Sequence, residues 1–219
     1  VFFPAGFQNM KRDFRNVTVL GTCQMLFGTG RGLFMVTSPA VALGIAPHPG
    51  LATLPTALVV VGTAIAAMPA SMVSRKVGRK SGFLIGTVLA ALSGAAATCA
   101  VLFENFWLLA LGGLTFGLFA GFAQLYRFAV ADGISEQFRA RAISLVLAGG
   151  VFAGLAGPKL AAWGKSLLEN DLYAGGFIFM IGTALLAALV LMFLDIPNLT
   201  KKQMDGPQRP LLEIMKQPV

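Results

Sequence analysis

Residues 51–74 read LATLPTALVVVGTAIAAMPASMVS and carry no charged side chain. A helix needs about 20 largely apolar residues to cross the hydrocarbon core of a bilayer, so this segment is long enough to span a membrane. Strands of an outer-membrane barrel would instead alternate apolar and polar residues over about ten positions. Because the apolar run is continuous, it predicts a membrane-spanning α-helix.

Five further stretches share this length and apolar character. Arg31 interrupts the first and Lys159 the fifth, whereas residues 81–103 are uncharged throughout. The prediction is an all-α membrane protein with six transmembrane helices, at about 17–45, 51–74, 81–103, 105–130, 142–163 and 172–194. Residues 1–16 would precede this bundle as a cytoplasmic segment. Residues 195–219, which contain several turn-forming Pro and Gly steps, would follow it as a cytoplasmic linker to further helices.

The composition excludes a soluble domain. Apolar residues make up 56% of the 219 residues and charged residues 12%, against roughly 45–50% and 25% in soluble proteins. A soluble fold of this size has too few polar residues here to cover its surface. Cys23 and Cys99 both lie in apolar runs, so the sequence indicates neither a disulfide framework nor a metal site built on a Cys pair.

The 17 Lys and Arg residues outnumber the 9 Asp and Glu residues, and the net charge is +8. Most of these cations fall into the segments on one side of the predicted bundle. By the positive-inside rule that side is cytoplasmic, which places both termini there. The excess charge is thus a topology signal and does not indicate a nucleic-acid partner. The cations on this side are Lys11, Arg12, Arg15, Arg75, Lys76, Arg79, Lys80, Arg139, Arg141, Lys201, Lys202, Arg209 and Lys216.

The loop between the second and third helices, residues 71–80, reads SMVSRKVGRK. It resembles the signature loop of the major facilitator superfamily, usually Gly-x-x-x-Asp-Arg-x-Gly-Arg-Arg/Lys. Ser71 stands where Gly is usual, and Arg75 where the family has an acid that helps to hold two halves together. The resemblance implies that this loop acts as a cytoplasmic gate and anchor. The loop matches the family at Lys76, Gly78, Arg79 and Lys80.

Two other segments resemble the same family. Residues 131–142, with Asp132, Arg139 and Arg141, are similar to its loop between helices 4 and 5. Residues 149–158 resemble its helix 5 Gly-Pro motif, where Gly157 and Pro158 predict a kink. The resemblance implies the N-terminal six-helix half of a twelve-helix transporter. Its partner would be a C-terminal half, in the same chain or another.

Three pairs of glycines in the predicted helices have small-xxx-small spacing. This spacing allows two helices to approach closely, so close packing is the simplest interpretation of these glycines. The pairs are Gly28 and Gly32, Gly117 and Gly121, and Gly150 and Gly154.

Charged side chains inside a bilayer are costly and point to function. Arg31 lies about 20 Å into the first helix at 1.5 Å per residue, and no Asp or Glu falls within the six spans. It is predicted to face a water-filled cavity, an anionic ligand or an acid in the partner half; the alternative is that it reaches the outer headgroups. Arg127 could line the cavity or reach the cytoplasmic headgroups, and Lys159 lies near the outer interface.

In the resembling family, helices 1, 2, 4 and 5 of this half line the substrate pathway. A basic pathway favours a small polar, anionic metabolite, because the Arg fork binds carboxylate or phosphate in a bidentate manner; a neutral substrate held by Gln and Tyr stays open. The implied mechanism is alternating access in a bacterial inner membrane. No motif indicates an enzyme, a cofactor or a metal. The predicted pathway residues are Gln24, Arg31, Gln124, Tyr126, Arg127 and Lys159.

Two alternatives to this transporter half remain at this point. One is a six-helix membrane protein with a structural or assembly role, and the other is a half-size transporter that works as a homodimer. The spans contain no intramembrane Asp, Glu or His for a proton relay. Proton coupling would therefore depend on the other half, and facilitated diffusion or anion exchange is favoured otherwise.

Overall fold

The computed structural model describes the backbone of residues 5–133, 136–167 and 174–195, and most side chains within these ranges. The described residues form helices and connecting turns, with no strand among them. A 3-10 turn, Pro49–Leu51, lies between the first two helices. The helices are α1 Ala5–Ile45, α2 Leu54–Val77, α3 Arg79–Leu102, α4 Phe106–Ala123, α5 Tyr126–Gly133, α6 Glu136–Leu167 and α7 Ala174–Met192.

Five helical segments of the described chain are long and apolar enough to cross a membrane. The long helix α1, with 41 residues, is not among them, because Gln24 and Arg31 lower its hydropathy. An all-α membrane protein is therefore confirmed, and a sixth span through α1 remains a prediction. Helix α1 begins at Ala5, so most of the segment predicted to precede the bundle belongs to this helix. The five segments are Pro49–Val77, Arg79–Leu102, Phe106–Ala131, Arg139–Gly164 and Ala174–Met192.

The helices pack as two groups joined by a shared core. Helix α1 packs along α6 and α7, α4 packs along α2 and α3, and the contact of α3 with α7 joins the groups. Phenylalanines fill the centre: the ring of Phe116 on α4 stacks on Phe27 and Phe34 of α1, with centroid distances of 6.1 and 5.8 Å. This aromatic contact sets the position of α4 relative to α1.

Glycines bring the helices of each group into backbone contact. A Cβ on Gly117 of α4 would overlap the carbonyl oxygen of Val59 on α2, and one on Gly157 of α6 would lie 2.9 Å from the Cα of Gly32 on α1. Close packing explains these positions. Gly154 differs, since a Cβ there would meet no described atom within 4 Å.

Helix α6 continues through Pro158, which lies inside its bounds. The pyrrolidine ring cannot donate a backbone hydrogen bond, so the residue weakens the helix at this point. The predicted kink at Gly157 and Pro158 remains a prediction.

Candidate functional site

Arg31 and Gln24 lie on one face of α1, because seven residues correspond to about two helical turns. Phe27 lies beside this face of α1, and its ring stacks on Phe116 of α4. Gly28 and Gly32, on the other side of that face, contact α6. Arg31 therefore lies on the strip of α1 between α4 and α6, and its side chain is exposed whereas Gln24 is half-buried. We call this strip the α1 polar face.

Arg31 forms no ion pair with any described residue, since the one ion pair of the described part joins Arg15 to Asp195. The strip is also uncovered by the described helices at this height. A guanidinium group in this position needs water, an anion or an acid outside the described residues as its partner.

Lys159 lies at a similar height to Arg31 but points elsewhere. Gly157 of α6 touches Gly32 of α1, which fixes the relative height of the two helices. Lys159 follows Gly157 by two residues, or about 200° around the helix, so its exposed side chain points away from α1. The structure does not bring Lys159 onto the α1 polar face.

The three predicted pathway residues of the fourth span lie at a break between α4 and α5. Gln124, the C-cap of α4, and Arg127 on α5 are both exposed. The guanidinium of Arg127 lies 5.0 Å from the ring centroid of Phe128. Tyr126 is fully buried, with its ring edge-on to Phe83 at 4.8 Å. Gln124 and Arg127 thus face an open surface in this state, and Tyr126 does not.

A one-residue turn at Gly78 joins α2 to α3. Its φ of 90° lies in the left-handed region, where a side chain causes strain. This conformation explains why glycine occupies the fourth position of the basic loop, residues 75–80. Arg75 and Lys76, in the last turn of α2, are exposed.

The two cations after Gly78 bind carbonyl oxygens of other helices, Arg79 within α5 and Lys80 at the end of α7. Arg79 donates from Nη1 to the carbonyl oxygen of Ala129 on α5 at 3.4 Å. Lys80 donates from Nζ to the carbonyl oxygen of Met192, the last residue of α7, at 2.6 Å. Cations near helix C-termini are favourable because the last carbonyls lack partners within the helix. Part of the basic loop therefore joins α3 to α5 and α7 within the described bundle.

Sequence reasoning missed a polar cluster formed by Arg15 and Asn16 of α1 with Asp195. The Arg15 Nη2 to Asp195 Oδ2 distance is 2.6 Å. The Asn16 amide donates to the Asp195 carbonyl oxygen at 2.8 Å and accepts from the Asp195 N–H at 3.1 Å. One feature of the sequence could have suggested this cluster. Arg15 and Asp195 carry opposite charges and lie at the ends of predicted spans on the same side of the bundle.

The remaining predicted residues are only partly described. Arg139 and Arg141 are exposed on the first turns of α6. The side chain of Asp132 lies outside the described residues, as does the predicted linker after Asp195.

Comparison with known proteins identifies similar chains. A family model described as Major Facilitator Superfamily matches residues 20–218. The chain is 32% identical over 206 residues to the riboflavin transporter RfnT of Brucella anthropi, covering 93% of this chain and 52% of that protein. It is 26% identical over 187 residues to YdeG of Bacillus subtilis, an uncharacterized MFS-type transporter, covering 84% and 44%. It is 27% identical over 190 residues to YddS of the same organism, covering 84% and 43%. The chain thus spans about half the length of these relatives.

Proposed function

The chain belongs to the major facilitator superfamily and is an integral membrane protein. On this premise we propose that it forms the N-terminal six-helix half of a transporter that moves a small polar metabolite by alternating access. A second six-helix half completes the pathway, and the transporter lies in a bacterial inner membrane with both ends of this half cytoplasmic. The family consists of transport proteins rather than enzymes, in agreement with the sequence prediction.

The observation that carries this proposal is the exposure of Arg31 on the α1 polar face. The residue stands mid-helix in an apolar bundle, with no acid beside it among the described residues. A cation at bilayer depth costs several kcal/mol unless water or an anion compensates it. A pathway between this half and its partner supplies both, and the substrate then binds where the two halves meet.

The substrate class follows from the donors on this face. The Arg31 guanidinium offers a planar fork of N–H donors, and the Gln24 amide offers both a donor and an acceptor. A carboxylate or phosphate fits the fork best, which favours an anionic metabolite. Planar molecules with two adjacent acceptor atoms in one plane also fit.

Riboflavin is the first compound to test, because a relative 32% identical to this chain is named a riboflavin transporter. Its isoalloxazine ring is neutral at pH 7 and presents a carbonyl oxygen next to a ring-nitrogen acceptor in one plane, an adjacent pair that an Arg fork can contact. Flavin mononucleotide carries the same ring and a phosphate. Comparing the two flavins separates recognition of the ring from recognition of an anion.

The exposed cations of the basic loop have a second role in the proposal. Arg75 and Lys76 are free to reach the partner half at the cytoplasmic side, whereas Arg79 and Lys80 hold α5 and α7. Neutralising Arg75 and Lys76 together should slow turnover more than it weakens substrate binding. Equal losses in both quantities would contradict a gating role.

Uptake of labelled flavins by cells that cannot synthesise riboflavin tests the proposal. Arg31→Gln removes a charge-assisted hydrogen bond worth about 1.5–3 kcal/mol, so uptake at low substrate should fall by about tenfold or more. Arg31→Lys keeps the positive charge and should retain part of the uptake. Arg209→Gln, which removes the same charge from the predicted linker, is the matched control. Uptake by Arg31→Gln equal to that of the wild type would overturn the role of Arg31, and absence of uptake of either flavin by the wild type would overturn the flavin assignment.

A further inference from the structure

The fourth span contains a two-residue turn at Gln124 and Leu125, which we call the break between α4 and α5. Helix α4 ends at Ala123, and the Leu125 N–H donates to the carbonyl oxygen of Phe122 at 3.0 Å, a 3-10 type bond. Residues 122–132 contain neither Pro nor Gly, the residues at which helices most often bend. A 3-10 segment inside a helix often marks a hinge.

Tyr126, the first residue of α5, follows this break directly. Its side chain is fully buried, and its ring has a favourable edge-on contact with Phe83. Its hydroxyl has no hydrogen-bond partner among the described residues. A buried hydroxyl without a partner destabilises the state that contains it, while a phenylalanine would keep the ring contact without this cost. Among the described residues the hydroxyl therefore gains no hydrogen bond that would offset its burial.

We propose that the break and Tyr126 form a conformational switch, in which α5 tilts at Gln124 and Leu125 and the Tyr126 hydroxyl becomes hydrated in a second state. The surface beside the break is polar, because Gln124 and Arg127 are both exposed. Helix α5 has only 8 residues, and a 3.4 Å hydrogen bond from Arg79 holds its Ala129 carbonyl oxygen. Such a short element can move without unpacking α4. Only the link of this switch to a transport cycle depends on the proposed function.

Thermal denaturation of the assembled protein tests the first half of the inference. Tyr126→Phe should raise the Tm by roughly 2–6 °C, because it removes the unpaired hydroxyl and keeps the ring. Tyr126→Leu, which also removes the ring contact with Phe83, should lower it. An unchanged or lower Tm for Tyr126→Phe would show that the hydroxyl has a partner in the stable state, and would overturn the switch.

Cysteine labelling tests the motion itself. Val130 on α5 and Val146 on α6 are both buried, with 1% and 0% exposure. In a background with Cys23→Ala and Cys99→Ala, a cysteine at Val130 should react with a membrane-impermeant maleimide through opening of α5. Adding Tyr126→Phe should slow this reaction at least fivefold, and the reaction of a cysteine at Val146 should not change. Equal rates at Val130 with and without Tyr126→Phe would overturn the proposal. The assay needs no substrate, so its result is independent of whether the protein transports a flavin.

Discussion

Gly149 and Gly154 lie on the same helix, α6, but only one of them faces another helix. A Cβ on Gly149 would lie 2.6 Å from the carbonyl oxygen of Gly21 and 3.5 Å from the backbone nitrogen of Met25, both on α1. A Cβ on Gly154 would have no described atom within 4 Å. Replacing each glycine with alanine adds the same methyl group to two different surroundings.

The two substitutions should change stability in opposite directions. At Gly149 the obstructing atoms belong to the backbone of α1, so the two helices must separate to admit the methyl group. An extra methyl group in a packed interior lowers the free energy of unfolding by about 1–3 kcal/mol. At Gly154 the methyl group meets none of the described atoms, and alanine favours a helix over glycine by up to about 1 kcal/mol. Gly149→Ala is therefore destabilising, and Gly154→Ala is neutral or stabilising.

Thermal unfolding of the detergent-solubilised protein measures the difference. For a chain of this size 1 kcal/mol corresponds to roughly 2–4 °C. The Tm of Gly149→Ala should lie roughly 2–12 °C below that of the wild type, and the Tm of Gly154→Ala should be equal to or above it. Equal Tm values for the two variants would contradict this prediction, because they would show that α1 and α6 do not meet at Gly149.

Four other substitutions test the end of the bundle that carries the basic loop. Asn16→Ala removes both hydrogen bonds to the backbone of Asp195. At about 0.5–1.5 kcal/mol per hydrogen bond, the free energy of unfolding should fall by about 1–3 kcal/mol. An unchanged Tm would contradict the cluster. Gly78→Ala places a side chain at a φ of 90°, and the strain should lower stability by about 1–2 kcal/mol in chemical denaturation. Lys80→Met removes the hydrogen bond to the end of α7 and should lower the Tm. Lys76 is exposed, so Lys76→Met should leave the Tm unchanged. A lower Tm for Lys76→Met than for Lys80→Met would contradict the anchoring role of Lys80.

Apolar runs were sufficient to predict the all-α membrane fold. The uncharged segment 51–74 lies within a span of Pro49–Val77, and the uncharged segment 81–103 almost coincides with α3. The difficulty was α1, where Gln24 and Arg31 make a long helix less apolar than its neighbours. Hydropathy measures the mean solvent preference of a segment, so it identifies poorly the helix that carries the polar face.

The candidate site was predictable in depth but not in direction. Position along a span follows from counting residues, whereas the direction of a side chain depends on which helices pack beside it. Tyr126 and Lys159 show the difference: both lie on helices of the predicted pathway, but one is buried against Phe83 and the other points away from α1. Spacing alone could not reveal these orientations.

Long-range pairing was also beyond the sequence. Asn16 and Asp195 are 179 residues apart, and no local pattern relates them. Their contact exists because α1 and α7 pack side by side with their polar ends at the same face of the bundle. In the basic loop, Arg79 and Lys80 bind other helices whereas Arg75 and Lys76 are exposed. This difference likewise depends on where α5 and α7 pack.

Accessibility of position 31 tests the central claim, that the α1 polar face lines a water-filled pathway. In the background with Cys23→Ala and Cys99→Ala, Arg31→Cys would be treated with an impermeant thiol reagent from each side of the membrane. Leu185→Cys, on the exposed surface of α7, is the control. We expect the cysteine at position 31 to react and the one at position 185 not to react. Equal lack of reactivity at both positions would place Arg31 away from water and contradict the pathway.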